Sequence, residues 1–145
     1  MNVIYLRTFF VSYVLFIALC AVVIGFLWWQ NRKRHPEIAL WLTNYILQFI
    51  AILLVTFRGL IPDFFSIILA NVFIIGGTII FYTGLCRYLG KEPRQWHNFI
   101  MLFVFTLLHA YLTYIYPSAA WRTINQSVAV IFICSQASWL MLKRE

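Results

Sequence analysis

Three histidines, four acidic residues and three cysteines are the whole stock from which this 145-residue chain can assemble a reactive centre. No GxSxG, HExxH or phosphate-binding glycine loop is present, so nucleophilic, zinc-peptidase and nucleotide chemistry lack their usual supports. Glu37, Asp63, Glu92 and Glu145 all fall at the boundaries of apolar runs. A proton-coupled transporter normally places a carboxylate in mid-membrane. His35 and His97 also fall at boundaries, whereas His109 stands 12 residues beyond His97, roughly 18 Å further along a helix at 1.5 Å per residue. An ionisable group at that depth is costly to bury and is by default a candidate for ligand binding or proton sensing, with an interhelical hydrogen bond as the structural alternative. Haem ligation would require a second axial ligand at matching depth, and no other histidine supplies one. No metal set, cofactor site or catalytic residue is expected.

The remaining polar residues gather at one end of the apolar runs. Arg58 ends one run, Asp63 and Ser66 open the next with Asn71 about two turns in, His109 and Tyr111 lie in the fourth, and Arg122, Asn125, Gln126 and Ser127 open the fifth. Two arginines with several hydrogen-bonding side chains in one shallow pocket would suit a small anionic or polar ligand. The alternative is purely structural: Arg58 paired with Asp63 across a tight turn, Arg122 snorkelling to headgroups, and the amides tying helices together.

The elements that must position these groups follow from composition. The chain is 63% hydrophobic with 15 charged residues, 11 basic and 4 acidic, against roughly 45–50% apolar and a quarter charged in soluble domains. That surface must face lipid, which excludes a soluble globular fold. Five runs of spanning length appear, at about 8–29, 38–57, 64–86, 97–116 and 121–142, giving an all-α bundle in a single transmembrane domain over 1–145. Pro36, Pro62, Pro93 and Pro117 fall in connections or at helix starts, where a missing N–H costs little. Glu37 and Asp63 sit in first helical turns, where the helix dipole favours an anion.

Charge sets the expected orientation. Arg32, Lys33, Arg34, Arg87, Lys91, Arg94, Lys143 and Arg144 fall on one side of five spans, and Arg7, Arg58 and Arg122 on the other. This asymmetry predicts an N-out, C-in topology and assigns the net charge of +7 to topology and anionic lipid, not to nucleic acid. The first span is too long for a signal-peptide core and ends in Trp28-Trp29-Gln30, so it is expected to stay uncleaved. Cys20, Cys86 and Cys134 all lie within spans and read as small apolar residues. Gly77 and Gly84, with Gly76 and Thr83 beside them at the same seven-residue spacing, predict a close helix-packing seam, within the chain or between two chains.

Three segments carry a more specific likeness. Arg58-Gly59-Leu60-Ile61-Pro62-Asp63, then Ser66-Ile67-Ile68-Leu69-Ala70-Asn71, then Tyr82-Thr83-Gly84-Leu85-Cys86-Arg87-Tyr88-Leu89-Gly90-Lys91 resemble the multi-span amino-terminal region that precedes a GGDEF domain in many bacterial membrane-bound diguanylate cyclases. Tyr116-Pro117, Arg122 and Ser127 extend the resemblance, which covers about 32–145. It implies a sensory input module of the bacterial inner membrane, working as a homodimer and regulating a cytoplasmic output domain of cyclic di-GMP signalling through its last helix. Related regions also precede histidine kinases. No GGDEF motif occurs in the sequence; after Lys143-Arg144-Glu145 the family would pass through a short helical linker into its output domain. A small transporter or channel subunit and a standalone membrane scaffold are the other expectations.

Overall fold

A computed structural model describes residues 3–92 and 94–143 of the chain. Pro93, Arg144, Glu145 and the side chain of Arg7, all used above, lie outside the described residues. Five helices follow one another: α1 (Val3–Asn31), α2 (Ile38–Thr56), α3 (Ala70–Tyr88), α4 (Trp96–Tyr114) and α5 (Ala119–Leu142). Each is long and apolar enough to cross a membrane. The architecture of the described residues is all-α, with the helix lengths and composition of a multi-pass membrane protein, and among those residues an isolated bridge between Arg58 and Ile61 is the whole of the β structure.

The third expected span differs in kind from the others. It opens as a π-helical segment, Phe64–Leu69, and becomes α-helical at Ala70. The Ala70 N–H reaches the Phe65 carbonyl five residues back, the wide repeat of a π turn. Side chains also compete for carbonyls here: Asn71 Nδ2 donates to Ile67 O at 2.6 Å and Ser66 Oγ to Pro62 O at 3.4 Å. Such back-bonding disturbs the regular ladder. No hydropathy pattern distinguishes this turn from α-helix.

Short connections make consecutive helices antiparallel neighbours. Gly90, at φ +68°, closes α3 in a Schellman motif, with Lys91 N–H on Cys86 O at 3.0 Å and Gly90 N–H on Arg87 O at 3.0 Å. Ser118 caps α5 by accepting from Trp121 N–H. Between α1 and α2, His35 Nδ1 donates to Glu37 Oε1 at 2.9 Å. The Glu37 carboxyl is held below its usual range chiefly by its own backbone N–H, with His35 adding to this against a small opposing effect of burial.

Packing makes α3 the central helix, in contact with α2, α4 and α5, while α1 lies along α2 alone. The α1 seam repeats with strict 4-3 spacing through Phe10, Val14, Ile17, Ala21, Ile24 and Trp28. Its opposite face, including Leu19, Val22 and Phe26, is bare. On α3, Gly77 and Gly84 face α2 within the same chain: an added Cβ would come 2.9 Å from Asn44 Oδ1 at Gly77 and 2.7 Å from Trp41 Nε1 at Gly84. Gly76 departs from the expected seam, since a Cβ there meets no atom within 4 Å. The apolar core lies on the other side of α3, where Ile75 and Ile79 meet Phe105 of α4 and Ala129 and Ile133 of α5.

Candidate functional site

The α2–α3 and α4–α5 connections share one end of the bundle, and a cavity of about 270 Å³ opens there between α2, the π segment, α3, α4 and α5. Ile52, Val55, Ile67, Ile74 and Ala119 form its apolar wall, and Arg58, Ser66, Asn71, His109, Arg122, Thr123 and Gln126 its polar wall. The opposite end carries the described basic residues of the first and third connections together with Lys143.

Six of the ten residues expected at a shared pocket line this cavity: Arg58, Ser66, Asn71, His109, Arg122 and Gln126. The other four do not: Tyr111, about 200° round α4 from His109, is exposed, and the geometry of α5 and of the π segment accounts for Asn125, Ser127 and Asp63. On α5, at about 100° per residue, positions 119, 122, 123 and 126 fall within roughly one third of the circumference. Asn125 falls to one side of that arc and turns to α4, where Nδ2 donates to Phe105 O at 3.4 Å. Ser127 falls to the other side and is exposed. Asp63 is exposed at the start of the π segment, makes no capping bond, and is not paired with Arg58. Thr123 belongs to the site although sequence reasoning passed over it; its place on the same arc of α5 as Arg122 and Gln126 was the available signal.

His109 is the most constrained member. It is 2% exposed, its ring lies 5.1 Å from that of Phe105, and neither Nδ1 nor Nε2 has a hydrogen-bond partner among the described residues. Buried polar atoms are nearly always paired, and an unpaired one costs about 1–3 kcal/mol, so the His109 ring nitrogens are the conspicuous unmet polar groups of the cavity wall. Arg122 is half-buried and donates from Nη1 to Leu112 O at 3.3 Å, satisfying a carbonyl in the last turn of α4. It therefore faces inward instead of reaching for headgroups. Arg58 at the exposed rim and Gln126 on α5 make no side-chain hydrogen bond among the described residues. The cavity contains no carboxylate.

A second polar cluster, not anticipated from sequence, joins α4 to α5 near the basic end. Asn98, fully buried, and Gln136 exchange two hydrogen bonds, Gln136 Nε2 to Asn98 Oδ1 at 2.9 Å and Asn98 Nδ2 to Gln136 Oε1 at 3.2 Å. Gln95 Oε1 accepts from Asn98 at 2.7 Å, and His97 Nε2 donates to Gln136 Oε1 at 3.0 Å. This is a helix–helix tie of the kind that replaces hydrophobic association in lipid. Cys20, Cys86 and Cys134 are unpaired, and no group of three His, Cys, Asp or Glu among the described residues is placed to hold a metal ion.

The chain matches no protein-family model, no curated protein and no solved structure, so the likeness to GGDEF-associated membrane regions rests on the residue pattern alone.

Proposed function

We propose that the protein is the signal-input module of a bacterial inner-membrane sensor, oriented N-out and C-in, which binds a small ligand in the cavity and passes the change in packing through α5 to a cytoplasmic partner. The observation that carries this reading is the convergence of seven polar side chains from four separate stretches of chain on one cavity, with the unpartnered His109 in its wall. The positive-inside asymmetry supports an outer-face position for the cavity. α5 then has the right connections for transmission: Arg122, Thr123 and Gln126 line the cavity, Ala129 and Ile133 sit in the core, Gln136 is tied to α4, and Lys143 emerges at the inner face. A ligand favouring one arrangement of α5 against α3 and α4 shifts the population of that arrangement. The resemblance supports a diguanylate cyclase as output and a homodimer as the working unit. A transport pathway has less in its favour, because Ile75, Ile79, Phe105 and Ile133 close the bundle with apolar contacts.

The test is a fusion carrying a diguanylate cyclase domain after Glu145. One added helical residue turns the output by about 100°, two by about 200°, and seven restore it to within about 20°. Insertion of one or two residues is expected to change basal activity strongly and insertion of seven only slightly, and Asn71→Ala is expected to shift output at unchanged abundance. Equal activity across the insertion series would show that α5 only tethers its partner and would sink the sensor reading.

A further inference from the structure

Arg58 and Arg122 both line the cavity, and neither Asp63 nor any other acidic residue accompanies them. A cationic or zwitterionic ligand would place a positive group beside two guanidinium groups with no counter-ion among the lining residues. An oxyanion instead receives charge-assisted hydrogen bonds from both. Arg122 spends one N–H on the Leu112 carbonyl and Arg58 makes no side-chain hydrogen bond among the described residues, so the two forks retain donors. His109 supplies a second anchor of different character: a neutral imidazole offers one donor and one acceptor, both unpaired but buried in the wall, and a hydroxyl that displaces part of that wall can satisfy either. Between the polar groups, Ile52, Val55 and Ile74 present an apolar wall. At the ~30 Å³ that a water occupies in the liquid, a cavity of 270 Å³ holds a ligand of roughly ten non-hydrogen atoms.

We infer that the cavity is a site for a small oxyanion with a short apolar body and a distal hydroxyl, the anionic head on Arg58 and Arg122 and the hydroxyl on His109. The inference rests on the cavity being the sensor's ligand site. The same head chemistry belongs to anionic lipid headgroups, and the lipid composition of the test separates the two sources.

The full chain in phosphatidylcholine nanodiscs, unfolded thermally with ω-hydroxyhexanoate, hexanoate or hexanediol at millimolar concentration, supplies the measurement. The hydroxylated acid is expected to raise Tm by about 3 °C, hexanoate by less, and hexanediol not at all. Arg122→Gln removes the response to both acids; because Arg122 also satisfies α4, Arg58→Gln at the exposed rim serves as the second variant. His109→Leu abolishes the advantage of the hydroxylated acid, and His109→Gln, which keeps a donor and an acceptor, restores part of it. If phosphatidylglycerol alone raises Tm and removes the response to free acid, with both effects lost in Arg58→Gln, the oxyanion is the lipid's and the site chemistry stands. Hexanediol matching the acids, acid responses unchanged in both arginine variants, or no response to any probe or to phosphatidylglycerol overturns the inference. The sensor reading survives those outcomes and falls only with a flat insertion series.

Discussion

Replacing glycine by alanine along α3 gives three chemically identical perturbations with different expected costs. At Gly84 the new methyl would lie 2.7 Å from Trp41 Nε1, 2.8 Å from Trp41 Cδ1 and 3.2 Å from Leu40 Cβ. The indole cannot simply swing away, since it is also packed against Phe81 and Tyr88 at ring separations of 6.1 and 5.7 Å. Relief therefore requires α2 to move off α3, and overpacking of this kind costs about 1–3 kcal/mol. At Gly77 the nearest atom is the side-chain Oδ1 of Asn44 at 2.9 Å, with backbone no closer than 3.5 Å. Rotation of that amide, which also accepts a long hydrogen bond from Gln48, limits the cost to about 1 kcal/mol. At Gly76 nothing lies within 4 Å, and the expected change is near zero. Alanine's propensity advantage of about 1 kcal/mol largely cancels in all three, because helices inserted in a micelle stay helical when their packing is lost. Reversible unfolding of the purified protein in mixed micelles, read by tryptophan fluorescence, should rank the variants Gly84→Ala least stable, Gly77→Ala intermediate and Gly76→Ala equal to the parent. Equal losses at Gly76 and Gly84 would refute the α2–α3 seam, and a loss at Gly76 alone would turn the packed face by about a quarter of the circumference of α3.

Cysteines introduced at Pro62 and Ser118 should react with an impermeant maleimide added from outside, and a reporter after Glu145 should be active in the cytoplasm; labelling only after the membrane is opened would reverse the topology. Asn98→Ala and Gln136→Ala should each destabilise by about 1–2 kcal/mol, while the double variant loses less than their sum, because each single change strands the other amide; strict additivity would argue against the tie. Glu37 has its carboxyl lowered from the usual 4.5, so it contributes stability above that pH and loses it as pH falls through the still lower folded value. A Glu37→Gln variant should consequently show a shallower loss of stability on acidification below 4.5 than the parent, and identical acid limbs would remove Glu37 from the account.

Much of the candidate site was legible because chemistry in an apolar chain is sparse. Arg58, Ser66, Asn71, His109, Arg122 and Gln126 stood out as polar residues at one end of the apolar runs, and all six line the cavity. Depth along a helix is a matter of counting residues, which is why this selection needed no tertiary information. Rotation about the helix axis is a different quantity. Asn125 and Gln126 are adjacent, both amides and at nearly the same depth, yet one is bonded to the Phe105 carbonyl and the other faces the cavity. The Asn98–Gln136 pair went unrecognised for a related reason, since two amides 38 positions apart become partners only when α4 and α5 lie side by side.

Run lengths, prolines and charges by themselves determined five helices and their order: the expected spans at 38–57 and 121–142 meet observed helices at Ile38–Thr56 and Ala119–Leu142. Those features are local, and a spanning helix satisfies its own backbone without help from its neighbours. Partner choice, helix rotation and the π segment were decided only in three dimensions. A soluble helix reveals its buried face through the contrast between apolar and polar residues, but in lipid both faces are apolar and that contrast vanishes. Which face meets which then depends on shape, such as the fit of Trp41 against Gly84, and on hydrogen bonds between distant residues, and neither is written in a run of hydrophobic side chains.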